Sequence, residues 1–156
     1  MSETTLQADL QRELLRLTAI FSTGDVTICD WGVLDGSSLS APYAIIDVAE
    51  QFDMADATLR QWTNAWVIPF DLVVRFIDWD TSRLAIRDAR ATVIAALRDN
   101  THYHASSTAL AWGLRRIASG SPIEEIYDKY NENTAESLPA FLSQTINLEV
   151  EETGNG

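Results

Sequence analysis

The sequence predicts an α+β fold: a mostly antiparallel sheet of four to five strands, with two helices packed on one face and long inter-strand loops. Two stretches space their apolar residues as amphipathic helices do, while others alternate or are continuously apolar as strands are. The order along the chain is helix, strands, helix, strands. At 156 residues we expect one domain over residues 1–152 and a flexible end at 153–156.

The first predicted helix has apolar residues at steps of three and four, which form one stripe. These residues are Leu6, Leu10, Leu14, Leu17 and Phe21. Gly24, a residue type common just past a helix, predicts its end. A short strand is predicted at 26–28, with a further candidate segment at 31–34. The stretch "YAIIDVAE", residues 43–50, is nearly continuous in apolar character and predicts a strand inside the sheet.

The strongest strand signal is "WVIPFDLVVRFIDWD", residues 66–80, where apolar residues alternate from Ile68 to Phe76. Pro69 indicates that this strand begins at an edge or carries a bulge. A second helix is predicted from Asp80 or Thr81, both good capping residues. Its predicted inward-facing residues are Ile86, Ala89, Val93, Ala96 and Leu97.

Two more strands complete the predicted sheet, one at 109–118 and one that closes the chain. In the closing strand, alternate residues from Leu142 to Val150 share the face that the helices should cover. Glu149 and Glu151 belong to the opposite face. We therefore expect their carboxylates to be exposed.

Two predicted connections, residues 51–65 and 119–139, are longer than the usual loop of about four to six residues. They carry apolar and aromatic side chains that a free loop would expose at a cost in free energy. Candidate contact residues among them are Met54, Leu59, Trp62, Tyr127 and Tyr130. We expect both segments to dock on neighbouring subunits; the alternative is that each folds back over its own sheet.

The chain has 23 acidic and 11 basic residues, giving a formal net charge of −12. This charge argues against nucleic acid as a bound partner, because such binding draws on a basic surface. No apolar run approaches the roughly 20 residues needed to cross a bilayer. The N-terminal segment is acidic where a signal peptide is basic. We therefore expect no membrane partner and a cytosol-like compartment.

The sequence offers little for metal binding. The single cysteine, Cys29, forms no internal disulfide, and with two His it leaves too few ligands for structural zinc. "DWD" at 78–80 could hold a divalent cation, but Asp80 is more simply a helix cap. "HYH" at 102–104 fits two solvated histidines better than a metal site, because no third ligand lies nearby in sequence. The prediction is no metal and no cofactor.

Catalytic signatures are also missing from the sequence: it has no nucleophile elbow, phosphate-binding loop or zinc-protease motif. Cys29 would need a distant histidine to become a nucleophile, and a small buried thiol is commoner. The prediction is that the protein is not an enzyme and has no catalytic residues.

Four arginines of the second helix, Arg83, Arg87, Arg90 and Arg98, share one stripe. On an acidic protein such a stripe fits carboxylates of an adjacent copy, for instance those of residues 119–139. The alternative is a solvated face supported by local pairs with Asp.

The order of segments resembles the tail terminator (tail completion) proteins of long-tailed bacteriophages over roughly residues 4 to 152. The resemblance rests on the N-terminal helix, "APYAIIDVAE", and "IPFDLVVRFID" leading directly into "SRLAIRDARATVIAALRDN". It rests most on the ending, "YDKYNENTAESLPAFLSQTINLEVEE", where Pro139 and Phe141 precede a final strand with acidic residues at its end.

The resemblance implies a structural virion protein that forms a homohexameric ring. Such a ring caps the tail tube, stops its polymerisation and provides the docking surface for the head connector. The implied partners are other copies of the chain, the major tail tube protein and a head-tail connector or head-completion protein. DNA passes through the bore of the implied ring without specific binding, which makes Glu149 and Glu151 candidates for the lining of this passage or for a ring contact. The implied location is the neck region of the virion tail, assembled in the host cytoplasm. Alternatives are another neck or tail-tube protein of the same fold and a small ligand-binding or enzymatic α+β domain.

Overall fold

The computed structural model describes residues 3–31, 42–58, 61–99, 110–118, 121–127 and 138–155. Within these ranges, side chains are described except at 3–5, 52–58, 61–64, 99, 110–112 and 152–155. The elements in chain order are α1 (Glu3–Leu15), β1 (Val26–Ile28), β2 (Tyr43–Ile46), β3 (Glu50–Thr58), β4 (Gln61–Arg75), α2 (Trp79–Asp99), β5 (Leu110–Ala118), β6 (Glu124–Ile126) and β7 (Phe141–Asn155). The predicted α+β class is confirmed, although the described part of the chain has seven strands instead of four to five.

Two long antiparallel strands, β4 and β7, form the centre of the sheet. They pair along their whole length, from Gln61 opposite Asn155 to Arg75 opposite Phe141. The strand order is β1-β2-β4-β7-β5, with β3 also on β4 and β6 also on β7. Only β1 and β2 pair in parallel; every other strand pair of the described chain is antiparallel. Each central strand thus carries two shorter strands, one after the other, along its outer edge.

Both helices cover one face of this sheet, as predicted, and share one apolar core with it. The core residues of β4 and β7 alternate along each strand and are at most 1% exposed, for example at Ile68, Phe70, Leu72, Ile146 and Leu148. The helices contribute Leu6, Leu10, Leu14, Ile86, Val93 and Leu97. Ala89 is also buried as predicted, whereas Ala96 is only partly buried. Within the described residues, neither helix is long and apolar enough to cross a bilayer.

The helix boundaries differ from the predicted ones for reasons visible in the hydrogen bonds. α1 ends at Leu15 instead of near Gly24, because the N–H groups of Arg16 and Leu17 bond to carbonyls three residues back, which tightens the last turn. Phe21 still packs in the core from the following turn. α2 begins at Trp79, so the predicted cap at Asp80 is wrong.

The residue that caps α2 is Asp78. Its Oδ1 accepts a hydrogen bond from the backbone N–H of Thr81 at 2.7 Å. The bonds from the backbone and hydroxyl of Thr81, and from the backbone of Asp80, lower the pKa of the Asp78 carboxyl. A charged cap of this kind favours an abrupt start to the helix directly after β4.

The prediction of a loop at 51–65 is wrong. β3 and β4 form an antiparallel hairpin there, in which Glu50 pairs with Val67 and Thr58 with Gln61. The connection at 119–139 is also partly strand, because β6 pairs with the first residues of β7. In their described portions both segments therefore add strands to the chain's own sheet instead of folding back over it, and docking on neighbouring subunits stays a prediction.

Strand ends also shift relative to the sequence prediction. β2 stops at Ile46, whereas the predicted strand continued to residue 50. Trp31 lies outside any strand, and 32–34 lie outside the described residues. β7 continues through Asn155, into the end expected to be flexible, because its last residues pair with Gln61–Thr63 of β4.

Candidate subunit interface

A groove beside α2, called here the basic groove, brings together three of the four arginines of the predicted stripe. It has a volume of about 550 Å³ and is lined by Arg83, Leu84, Arg87, Arg90, Ile123 and Gln144, with the carboxylate of Asp80 also in the lining. Gln144 belongs to β7, and its amide donates to the carbonyl of Ser121 at 2.9 Å. The groove therefore lies on the helix-covered face, at the edge of β7 that β6 extends.

Arg83 and Arg87 have exposed side chains, whereas Arg90 is partly buried. The Arg83 guanidinium lies 5.1 Å from the centroid of the Trp79 ring, a cation–π contact. Within the described residues, Arg83 and Arg87 form no ion pair. Local pairs with Asp therefore do not support the face at these two residues, whose side chains are both exposed to solvent. Leu84 between them is 56% exposed, which gives the groove an apolar element as well as charge.

The fourth arginine of the predicted stripe does not line the basic groove. Arg98, at the last turn of α2, instead lines a separate depression of about 450 Å³ with Leu114, Arg115, Arg116 and Ile117 of β5. The stripe is continuous in sequence, but the path of α2 across the sheet divides it between two surfaces.

Glu149 and Glu151 lie on the sheet face opposite the helices, as predicted, but neither is a free carboxylate. Glu149 pairs with Arg116 at 3.2 Å, and its side chain is 22% exposed. Glu151 approaches Arg115 at 3.9 Å, with both side chains about half exposed. These two pairs arise because β5 lies directly beside β7, and they partly neutralise the two carboxylates that we expected to be exposed.

A second groove, called here the acidic groove, lies on the same open face but at the outer edge of β4. It has a volume of about 430 Å³ and is lined by Asp47, Val48, Glu50, Val67, Pro69 and Asn147. It forms where β2 has ended and β3 begins, since both strands pair with β4. Val48 is 50% exposed. Two hydrogen bonds hold Asp47 in place. Its Oδ1 accepts from the backbone N–H of Val48 at 2.8 Å, and its backbone carbonyl accepts from the side-chain amide of Gln7 in α1 at 2.9 Å.

Asp71 is a buried carboxyl on the open face, close to the acidic groove. It is 7% exposed and accepts a hydrogen bond from the hydroxyl of Thr145, its cross-strand partner. Burial raises the pKa of Asp71; the Thr145 hydroxyl lowers it, and the charges of Asp47 and Glu124 raise it further. Negative charge is thus concentrated around the middle of this face.

The sequence did not single out Asp47, Val48, Glu50 or Asp71. The one available signal was the break in the apolar run "YAII" at Asp47, where the strand ends. The acidic groove is assembled from residues far apart in sequence, so it becomes visible only once the strand pairing is known.

The remaining candidate contact residues are only partly described. Tyr127 is 40% exposed, and its hydroxyl donates to Glu125, which raises the pKa of the tyrosine. Met54 and Trp62 have described backbones in β3 and β4, opposite Asn64 and Gly154, but their side chains lie outside the described part. Leu59 and Tyr130 lie outside the described residues altogether.

The structure does not show the residues considered for catalysis or metal binding brought together in its described part. Cys29 is exposed, which corrects the expected buried thiol; its Sγ accepts from the Gln7 amide at 3.6 Å, and its backbone has a φ of 51°. His102 and His104 lie outside the described residues. Over the described part of the chain, no group of three or more His, Cys, Asp or Glu is arranged to hold a metal ion.

Comparisons with known proteins add no identification. No protein-family model matches the chain, and no curated protein matches it. One matching solved structure has 14% sequence identity and a TM-score of 0.42, over 99% of this chain and 96% of its own. The name of that structure states no activity, and a likeness at this level carries no conclusion about function.

Proposed function

We propose that this protein is a structural subunit that assembles head to tail into a ring capping the tail tube of a long-tailed bacteriophage. The observation that carries the proposal is the row Arg83, Arg87 and Arg90 in an exposed groove of a chain with about twice as many acids as bases. Cations that line an open groove with an exposed leucine are suited to an acidic partner surface. This is the chemistry that a self-assembling acidic subunit requires.

The open face of the sheet fits a ring through which DNA passes. Glu149, Glu151, Asp47 and Glu50 all lie on or beside this face, and the net charge of −12 makes every copy repel polyanions. The pairs with Arg115 and Arg116 moderate this charge without reversing its sign. In this role the ring binds the major tail tube protein on one side and a connector or head-completion protein on the other, in the neck of a virion assembled in the host cytoplasm.

Imaging of the purified chain by negative-stain electron microscopy tests the proposal. We expect rings with a central hole, either for the chain alone or after addition of tail tube subunits. Particles that stay monomeric under both conditions would contradict the ring.

A neighbouring role in the same virion, as a tube subunit or head-completion protein, also involves ring formation. The length of tail tubes polymerised in vitro separates these roles. A terminator added in increasing amounts should shorten the tubes and appear as one ring at one end. A tube subunit should instead be incorporated along the length of the tube, and a head-completion protein should leave tube length unchanged.

A small ligand-binding domain is the second candidate, and the three arginines of the basic groove are the observation in its favour. A thermal-shift screen with phosphate, nucleotides and dicarboxylates tests it, because a ligand that binds only the folded state raises the melting temperature by mass action. A concentration-dependent rise that Arg87→Ala abolishes would favour this candidate. We expect no such rise.

A further inference from the structure

The basic and acidic grooves are opposite in charge and alike in apolar content. Arginines flank an exposed leucine in the first groove, and Asp47 and Glu50 flank an exposed valine in the second. Leu84 is 56% exposed and Val48 is 50% exposed, so each groove offers one aliphatic side chain within a charged rim.

The grooves also occupy opposite places on the subunit. The basic groove lies on the helix-covered face, at the β7 edge that carries β6, and includes Gln144. The acidic groove lies on the open face, at the β4 edge that carries β2 and β3, and includes Asn147. Two different patches on opposite edges are what a head-to-tail contact needs, because each copy then offers one patch to each neighbour.

The alternative of two copies meeting through the same patch is disfavoured by charge. Two basic grooves in contact would place arginine against arginine, and two acidic grooves would place carboxylate against carboxylate. Like charges in contact across an interface cost several kcal/mol. Opposite grooves in contact remove both penalties.

We propose that the basic groove of one copy binds the acidic groove of the next copy, with Arg87 facing Glu50 and Leu84 facing Val48. The contact rests on the proposed ring function and specifies how the ring is built. It assigns the partner of the arginines to residues 47–50, which connect β2 to the start of β3, in place of the 119–139 carboxylates that the sequence suggested.

A charge-swap experiment tests this contact, using the full chain and sedimentation velocity over a concentration series. Arg87→Glu alone and Glu50→Arg alone should each raise the concentration needed for half-assembly by about tenfold or more. The double variant R87E/E50R restores opposite charges at every contact and should recover most of the assembly. The side chains of Glu50 and Arg87 are exposed, so we expect each variant to fold. A circular dichroism melt of each variant checks this.

Arg98→Glu is the matched control, since it makes the same change in charge on the same helix but outside the basic groove. It should leave assembly within about twofold of the original chain, in the range of an exposed substitution. Sodium chloride should weaken the assembly of the original chain, because salt screens the exposed charges.

The results separate failure of the contact from failure of the function. Rings that form normally in both single variants, or that Arg98→Glu weakens as much as Arg87→Glu, overturn the groove contact and leave the ring intact. A double variant no better than the worse single variant also overturns the contact. An original chain that forms no ring, even with tail tube subunits, overturns the proposed function and this contact with it.

Discussion

The two faces of the β4–β7 ladder are built from the same strands but differ in nearly every physical property. The helix-covered face is apolar, and its residues from Ile68 to Leu72 and from Ile146 to Leu148 are at most 1% exposed. The open face carries Asp71, Asn147 and Glu149, together with a smaller buried apolar cluster. That cluster consists of Tyr43, Ile45, Val73 and Phe141. Because side chains alternate, one pair of strands can stabilise the fold on one side and present recognition chemistry on the other.

Truncating a side chain on the covered face should produce the largest effect. Ile146→Ala should lower the free energy of unfolding by about 2–5 kcal/mol, through lost burial and the cavity left behind. Its neighbour Asn147 on the open face provides the matched control, and Asn147→Ala should change stability by about 0.5 kcal/mol or less. Urea unfolding followed by circular dichroism measures both. Equal losses for the two variants would remove the distinction between the faces.

The buried carboxyl of the open face should give an intermediate, pH-dependent effect. Because the pKa of Asp71 is raised in the folded state, the folded protein binds its proton more tightly than the unfolded chain does. Its contribution is therefore fully favourable below the unfolded pKa and is lost as the pH rises through the folded pKa. Asp71→Asn should raise the melting temperature at pH 7, and this gain should shrink towards zero below about pH 4.

A gain from Asp71→Asn that stays constant from pH 3 to pH 8 would contradict the role of the charge. Thr145→Val is the companion variant, because it removes the hydrogen bond that lowers the pKa of Asp71. It should destabilise the protein more at neutral pH than at pH 3, because the bond stabilises the ionised form of Asp71.

The smallest effect is expected at the ion pair between Glu149 and Arg116. Glu149→Gln should cost about 0–1 kcal/mol, since the Arg116 side chain is 66% exposed and screened by solvent. The same variant measured in about 1 M salt should be nearly neutral, because the Debye length there is roughly 3 Å. A loss that survives in high salt would contradict the screening of this pair, because Gln keeps the shape of Glu and removes its charge.

Sequence alone predicts the elements whose side chains follow a regular period. The alternation in β4 and β7 and the helical spacing of Ile86, Val93 and Leu97 identify the faces that are buried. These patterns are strong because each of these elements has one face against the core. Strand pairs and helix faces of this kind account for the confirmed fold class.

The hairpin β3–β4 and the short strand β6 were not predictable in the same way. The stretch "QFDMADATLRQWTNA" lacks a clean alternation, and the two positions between its strands are Leu59 and Arg60, which are not typical of a tight hairpin turn. These strands form because an adjacent strand edge offers backbone hydrogen bonds, which leave little trace in side-chain pattern.

The candidate interface was predictable on one side only. Helical spacing places Arg83, Arg87 and Arg90 together because they belong to a single element. Asp47 and Glu50 meet Asn147 only through the pairing of β2, β3 and β7 with β4, and such non-local proximity requires knowledge of the strand order. A groove lined by one helix can be predicted from the spacing of its residues. A groove lined by several strands cannot, because it depends on which strands pair.

The position of β7 in the sheet also constrains when the protein can fold. β7 is the partner of β4, β5 and β6, and all of them precede it in the chain. During synthesis the edge of β4 that later pairs with β7 therefore keeps its backbone N–H and C=O groups unpaired until residues 141–155 have been synthesised. Such long-range pairing is slow to form, and unpaired edges in the interval invite aggregation or capture by chaperones. A protein built this way completes its sheet only after β7 has been synthesised, so partially synthesised chains lack the strand that contributes Gln144 to the basic groove and Asn147 to the acidic groove.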